Sequence, residues 1–537
     1  MPYDRKANNS TNYTHPNESN LWDVHKAMQY DEYGQPVVRT YPSDPSATAK
    51  TAFGEPVAIP ITPVIQLDGL YGLQANKFET FQAFGGSADT TGTLMRCQSG
   101  TNQYGYGVLR SRRAVRYRPG QGALARFTAA FTTGTAGYTQ RAGFFTQEQA
   151  LQVGFDGENF GILRQNGGKA HIEYFTLTGA ASSGGNITLT LNGIAYVVPV
   201  TNASIGINAA EISEYFQANY SGAWIAEHCD GVIHFVSTSV GPNAGAFTYT
   251  DTDTTGLTGT FSTPQAGVNH TDTWIYQANF NIDKLDGTGF SGMTIDPTKL
   301  NVYQINFRWL GAGELRFAIE NPINGDMIFF HHIHFSNQNN NVHLDNPSLK
   351  IGYVAASLGG TGTNVTVTGA SLLGAVEGLI QNTSFPTAAF RSTNHSPNLA
   401  KDVLHHGLSV HNRLTFADKI NTRELLIKKV SVSIDTNTSG NPVEVLLFYN
   451  FDNIPSPAVQ QVINEVESAA FFNDEEGVVT LGTNVPIAAF FVAGQQGDTI
   501  NLEDLRIAIP PNNNITVCLQ STDTLSRVGV SLIFVED

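Results

Sequence analysis

The chain has 537 residues, with 46 acidic and 30 basic side chains giving a formal net charge of −16, and only 14% of its residues are charged. An acidic surplus of this size argues against a phosphate-binding surface, because sequence-independent affinity for nucleic acid comes from many cations displacing counterions together. Cys97, Cys229 and Cys518 stand far apart in no C-x-x-C spacing, which speaks against a disulfide framework, and no stretch reaches the roughly 18 apolar residues of a membrane-spanning helix.

Residues 1–50 are polar, contain Pro and Asn, and show almost no periodicity, so alone they are not expected to fold. They carry Trp22, Tyr30, Tyr33 and Tyr41, aromatics that a purely solvating tail lacks, and the expectation is an extended arm that orders by docking on another subunit. The segment has no apolar core of a signal peptide, so no secretion address is read, and its N-x-[S/T] triplets at Asn8, Asn9, Asn12 and Asn17 count as polar composition.

From Phe53 onward, strand-length apolar runs alternate with Gly, Pro and Asn, the profile of turn-rich β-protein. Residues 108–131 read as a hairpin around Pro119-Gly120, and Asp156-Gly157 as the turn of another. Residues 176–268 read as an inserted module: two strands around Asn192-Gly193, a helix with Asn208 and Glu211 as its capping pair, and two strands around Asp230-Gly231. The flanks "GAASSGG" and "TDTTGLTGTFST" read as linkers. Strands resume in residues 300–335 with an Asn324-Gly325 turn, and residues 405–537 add further strands with one helix over "SPAVQQVINEVESAAFF".

The predicted fold is therefore mainly β, built of antiparallel β-sandwich, jelly-roll-like domains with a small inserted β-β-α-β-β module and an extended N-terminal arm. The expected division is an assembly arm over 1–50, a split sandwich over 51–175 plus 269–400, the inserted module over 176–268 and a second sandwich over 401–537.

Five arginines fall within the nine positions from Arg110 to Arg118. Strand alternation places Arg110, Arg112, Arg116 and Arg118 on one face. In an acidic protein the guanidinium fork finds its partners in carboxylates of the same chain or of a neighbouring copy, so these four are the candidate internal or inter-subunit ion network.

Other constellations are weaker. His331, His332 and His334, with His343 nearby, suggest a metal, but no Cys, Asp or Glu falls at a linear spacing that completes a tetrahedral site; His405, His406 and His411 are read as sheet histidines. Asp283 and Asp286, and Asp251 and Asp253, resemble fragments of calcium loops without the closing Glu, and are read as turns. "GTGFSGM" is not a nucleophile elbow, and no phosphate-binding glycine loop is present. No catalytic, cofactor or metal residue is assigned, and a non-enzymatic protein is expected.

Several stretches resemble virion-associated proteins of tailed phages, especially aquatic ones, and of some large DNA viruses: residues 52–56, 115–131, 154–164, 274–337 and 346–354, of which "RWLGAGELRF" (308–317) is the most specific. The insertion is similar to a small module that recurs in phage tail and fibre proteins. The resemblance implies a structural part of a virus particle, in tail, baseplate, neck, fibre or capsid surface, made in the host cytoplasm and located in the virion. It transfers no catalytic residues. The expected partners are other virion proteins and further copies of the chain, as a trimer or another symmetric oligomer, with host surface glycan as a further candidate; the acidic surplus and the lack of an apolar span leave neither nucleic acid nor membrane insertion expected. A component that binds or cleaves host glycan is the alternative.

Overall fold

A computed structural model describes residues 28–30, 36–38, 60–220, 222–378, 388–395, 399–436, 442–456, 458–464, 467–493, 496–521 and 527–536. Residues 1–60 and 61–537 form two separate compact units. In the first, Met28–Tyr30 pairs antiparallel with Pro36–Val38, where the sequence predicts no element.

The second unit is mainly β, and its first part is a sandwich dictated by alternation. In Tyr106–Ser111, Gly107, Leu109 and Ser111 turn inward while Tyr106, Val108 and Arg110 turn outward, so one face of the strand needs a second sheet over it. One sheet runs in the spatial order Thr271–Tyr276, Asn159–Asn166, Ala150–Asp156, Tyr138–Phe145, Lys350–Ser357, Tyr106–Ser111 and Phe78–Ala83. The facing sheet is built on Gly122–Phe131, with Asn301–Arg308, Leu315–Glu320 and Met327–Ile333 to one side and Thr366–Gly369, Leu94–Gln98 and Ser87–Thr91 to the other. Across the gap, Phe144 meets Phe307 edge-on at 5.5 Å. The Tyr353 hydroxyl donates to the Thr128 carbonyl at 2.7 Å, so its one polar atom is satisfied inside the core.

The hairpin expected over 108–131 does not form. Its two strands lie in opposite sheets, and residues 112–121 cross between them. Both edges of Tyr106–Ser111 are already taken, by Phe78–Ala83 and Lys350–Ser357. Ten residues suffice to cross the ~10 Å between packed sheets, which a tight turn could not do. By contrast, the Asp156-Gly157 turn does join a hairpin, with Leu151 opposite Arg164 and Asp156 opposite Asn159.

Residues 185–240 run strand, strand, helix, strand, strand: Gly185–Leu191, Ile194–Val200, Ile205–Tyr220, Trp224–Cys229 and Val232–Val240. The supposed linkers differ from expectation. Thr258–Gln265 is a strand paired with Ala170–Gly179, because Phe261 is needed to pack on Phe175, at 4.7 Å between ring centroids. The helix also begins earlier than its expected cap. Ser204 holds the N-cap position, with its carbonyl accepting from Asn208 N–H at 2.9 Å. Asn208 is instead a buried brace, donating to the Thr201 carbonyl and to Glu211 and accepting from Ala181 N–H.

The C-terminal part is a second sandwich. Ala388–His395, Arg527–Glu536, Leu425–Thr436 and Gly497–Asn501 form one sheet; Ala470–Asn473, Leu404–Asn412, Asn513–Ser521, Val443–Tyr449 and Ala488–Val492 lie in the other. The helix expected over 456–472 is absent among the described residues. Ala470–Asn473 is buried at all four positions and pairs with Leu404–Asn412, so burial in a sheet overrides the helical propensity of this run.

Candidate functional site

The arginine-rich segment opens onto a cavity of about 560 Å³ whose walls come from three parts of the fold: Phe78, Glu79, Arg110, Arg112 and Lys350 from the first sandwich, Ile225 and Val236 from the inserted strands, and Leu414, Ile420 and Glu424 from the C-terminal part. Such a volume lies in the range of ligand-sized pockets.

Three neighbouring strands build its charged wall. Glu79 and Arg110 are directly opposed across their strand pair, with Arg110 Nε 2.8 Å from Glu79 Oε2, and Lys350 Nζ lies 2.7 Å from Glu79 Oε1. Burial by itself pushes the Glu79 carboxyl up, but Lys350 and Arg110 together outweigh it and hold it down at about 2. Lys350 is brought down to about 8, chiefly by burial and further by Arg110 and Arg112, against the pull of Glu79. Arg110 also stacks over Phe81, 4.9 Å from the ring centroid.

Beyond Ser111, Arg112 and Arg113 reach the C-terminal sandwich. Arg112 donates to the Ala75 carbonyl through Nε and to Asn513 Oδ1 through Nη1, at 3.2 Å. Arg113 engages both oxygens of Glu424, at 3.0 and 3.4 Å, and the Glu424 side chain is only 4% exposed. Val115, fully buried, bridges to Leu349. Arg116 and Arg118 lie half-buried on the crossover, off any strand, so the four candidate arginines do not share a strand face. Trp22, Tyr33 and Tyr41 lie outside the described residues, as does the side chain of Tyr30.

Linear reading missed Glu79, Lys350 and Glu424, because each is brought to the arginines by pairing or packing across long stretches of chain. Of a second grouping the sequence suggested the histidines but not the carboxylate: Glu314 stands beside His332 and His334, with one donor atom from each within 4.8 Å of the others. His331 turns away and accepts from Asn281 N–H at 3.2 Å, while His343 is buried with Nε2 3.4 Å from the Arg308 carbonyl. His406 is held between the Glu475 carbonyl and Ser409, both at 2.7 Å. His405 accepts from Ala400 N–H at 2.9 Å, and His411 is buried enough for its pKa to fall to about 3. The acidic turns occupy their own oxygens: Asp283 accepts from Leu285 and Ser291 N–H, Asp286 from Thr288, Asp251 from Thr255 and Gly256, and Asp253 from Asn186. Among the described residues, no helix is long and apolar enough to cross a membrane.

No protein-family model and no curated protein sequence matches the chain. Among solved structures, a lectin from Bauhinia forficata in complex with GalNAc is similar over 58% of this chain and 98% of its own, at 10% identity and a TM-score of 0.20. Arcelin-5, a lectin-like defence protein from Phaseolus vulgaris, matches over 59% of this chain and all of its own, at 7% identity and a TM-score of 0.23. A chain of the Sputnik virophage matches over 93% of this chain and 91% of its own, at 8% identity and a TM-score of 0.12. At these scores the fold rests on the strands and contacts described above.

Proposed function

We propose that this chain is a non-enzymatic structural component of a virus particle, which self-assembles into a symmetric oligomer and presents its outer surface to the host. The observation that carries this reading is the use made of the arginine segment. Arg110, Arg112 and Arg113 hold strands and sandwiches to one another through Glu79, Asn513 and Glu424. Three arginines of the segment are thus engaged within the chain, as befits a subunit that must stay rigid under load. The virion resemblance of residues 308–317 supports the same reading: Phe307 and Leu315 on either side of its turn are core residues, and Trp309 packs edge-on against Tyr117 at 4.8 Å.

Light scattering on the purified full-length chain, repeated without residues 1–50, tests it. A closed oligomer that loosens on truncation is expected, together with presence of the chain in purified particles. A protein absent from particles, or one that shortens a host polysaccharide on incubation, would overturn the reading.

One observation favours glycan binding as a second reading. Phe84 and Tyr104 are 64% and 58% exposed and hold φ of 49° and 60°, a backbone region that costs a bulky residue on the order of 1–3 kcal/mol. Hydrogen bonds donated by the backbone hold these loops in place, with Tyr104 N–H donating to the Ser357 side-chain Oγ at 3.3 Å and Gly86 N–H to the Ala83 carbonyl at 3.0 Å. Exposed aromatic faces suit the apolar face of a sugar ring. Screening against a glycan array with Phe84→Ala and Tyr104→Ala as controls decides it: retained binding in both variants sinks this reading.

A further inference from the structure

Strands Leu315–Glu320 and Met327–Ile333 pair antiparallel at the end of their sheet, with Leu315 opposite Ile333 and Arg316 opposite His332. Continued by one residue, this register sets Glu314 against His334. The two-residue period of strands then puts Glu314, Arg316, His332 and His334 on one face, away from the core that buries Leu315 and Phe317.

Both imidazoles turn the same atom toward the same oxygen. His332 Nδ1 is 3.0 Å and His334 Nδ1 is 3.4 Å from Glu314 Oε1. An ion about 2.0–2.2 Å from each ligand atom would hold neighbouring donors about 3–3.5 Å apart; both imidazole-to-carboxylate distances meet this, and the three donor atoms all lie within 4.8 Å of one another. The second oxygen of Glu314 is taken by Arg316 Nε at 2.5 Å, which fixes the plane of the carboxylate and leaves Oε1 to the histidines. His332 is pinned from behind: its N–H donates to Asn281 Oδ1 at 2.9 Å, and its carbonyl accepts from Asn281 Nδ2 at 2.8 Å. The site is open on one side, since the His334 side chain is 59% exposed while those of His332 and Glu314 are 15% and 18%.

We propose that Glu314, His332 and His334 form a binding site for a divalent transition-metal ion of the zinc class, through Oε1 and the two Nδ1 atoms, with the remaining position open to water. Two imidazole donors select such an ion over calcium or magnesium, which take oxygen ligands. The bound ion ties the end of an edge strand to its neighbour, where the ladder has stopped.

Untagged full-length protein, stripped with chelator, is titrated with Zn²⁺ against a chromophoric competitor, and separately with Co²⁺ while the visible spectrum is followed. One Zn²⁺ per chain and cobalt d–d bands are expected. His334→Ala and Glu314→Gln should each weaken uptake by at least about tenfold, the lower end of what losing even an outer partner of a metal site costs, with unchanged far-UV circular dichroism. His334 is exposed and outside the core, so its variant folds and decides the matter even where Glu314→Gln does not. The proposal is overturned by absence of stoichiometric uptake, or by uptake that His334→Ala leaves intact, which would place the ion elsewhere among the 14 histidines of the chain.

Discussion

Glu79 shows how a buried charge can be kept ionised. Its side chain is only 16% exposed, yet two cations touch it, and its carboxyl sits at about 2 where the ordinary value is 4.5. A depressed carboxylate contributes stability that is complete above pH 4.5 and is lost as pH falls toward 2. The shift corresponds to about 3 kcal/mol at neutral pH. Urea denaturation of Glu79→Gln should show a loss of this order at pH 7 and a flatter decline between pH 5 and 2 than the parent protein shows; an unchanged acid limb would contradict the assignment. Arg113 makes the complementary case, a half-exposed cation serving a buried acid. Its replacement by Ala leaves Glu424 desolvated and unpaired, and the expected cost is about 1–3 kcal/mol, discounted for the solvent that reaches the arginine. The urea midpoint measures it, and a change within a few tenths of a kcal/mol would mean that water replaces the pair.

At the scale of elements, the helix Ile205–Tyr220 is the sole α-helix among the described residues, and it is secured by one side chain more than by its cap. Asn208 joins the helix to residue 181 on one side and to Thr201 and Glu211 on the other. Asn208→Ala strands a buried N–H and a carbonyl, so it should cost about 1–3 kcal/mol and open the 180–184 turn to protease. Ser204→Ala, which removes only a long 3.4 Å capping contact, should cost less than Asn208→Ala under the same assay. Asn208 and Glu211 were legible in the sequence as a capping pair at the right end of the helix. Their true role was not, because it depends on a loop nearly thirty residues away being folded over them.

Across the whole molecule, the inserted strands and the C-terminal sandwich are joined through Glu227. Its oxygens accept from the backbone N–H groups of Leu414 and Thr415 at 2.7 and 3.1 Å, and His234 Nδ1 lies 3.2 Å away. Burial pushes this carboxyl up, and His234 and the Leu414 N–H more than reverse it, so it stays ionised at neutral pH. Glu227→Ala leaves two buried N–H groups without an acceptor. Scanning calorimetry is expected to resolve two transitions for Glu227→Ala against one for the parent protein, and a single, merely shifted transition in the variant would show that the parts remain coupled by other contacts.

Composition and the period of the apolar residues were enough to specify a mainly β chain of sandwiches, and Asp156-Gly157 and Asn192-Gly193 to specify two of its turns, because strand alternation and left-handed turn residues are local properties. Which sheet a strand enters is not local. Residues 108–131 carry a convincing hairpin pattern and still part into opposite sheets, since the competition for strand edges is settled by partners elsewhere in the chain. The grouping of Glu314 with His332 and His334 is the sharpest instance. Near the Asn324-Gly325 turn, Glu320 faces Met327 and Ala318 faces Phe329, a register that carried onward would set Glu314 on the face opposite the two histidines. A bulge between Phe317 and Ala318 takes up Phe330 as an extra residue and shifts the register by one. With a side-chain period of two, that single step moves Glu314 onto their face, and only packing of both Phe330 and His331 into the interior decides that the bulge is there.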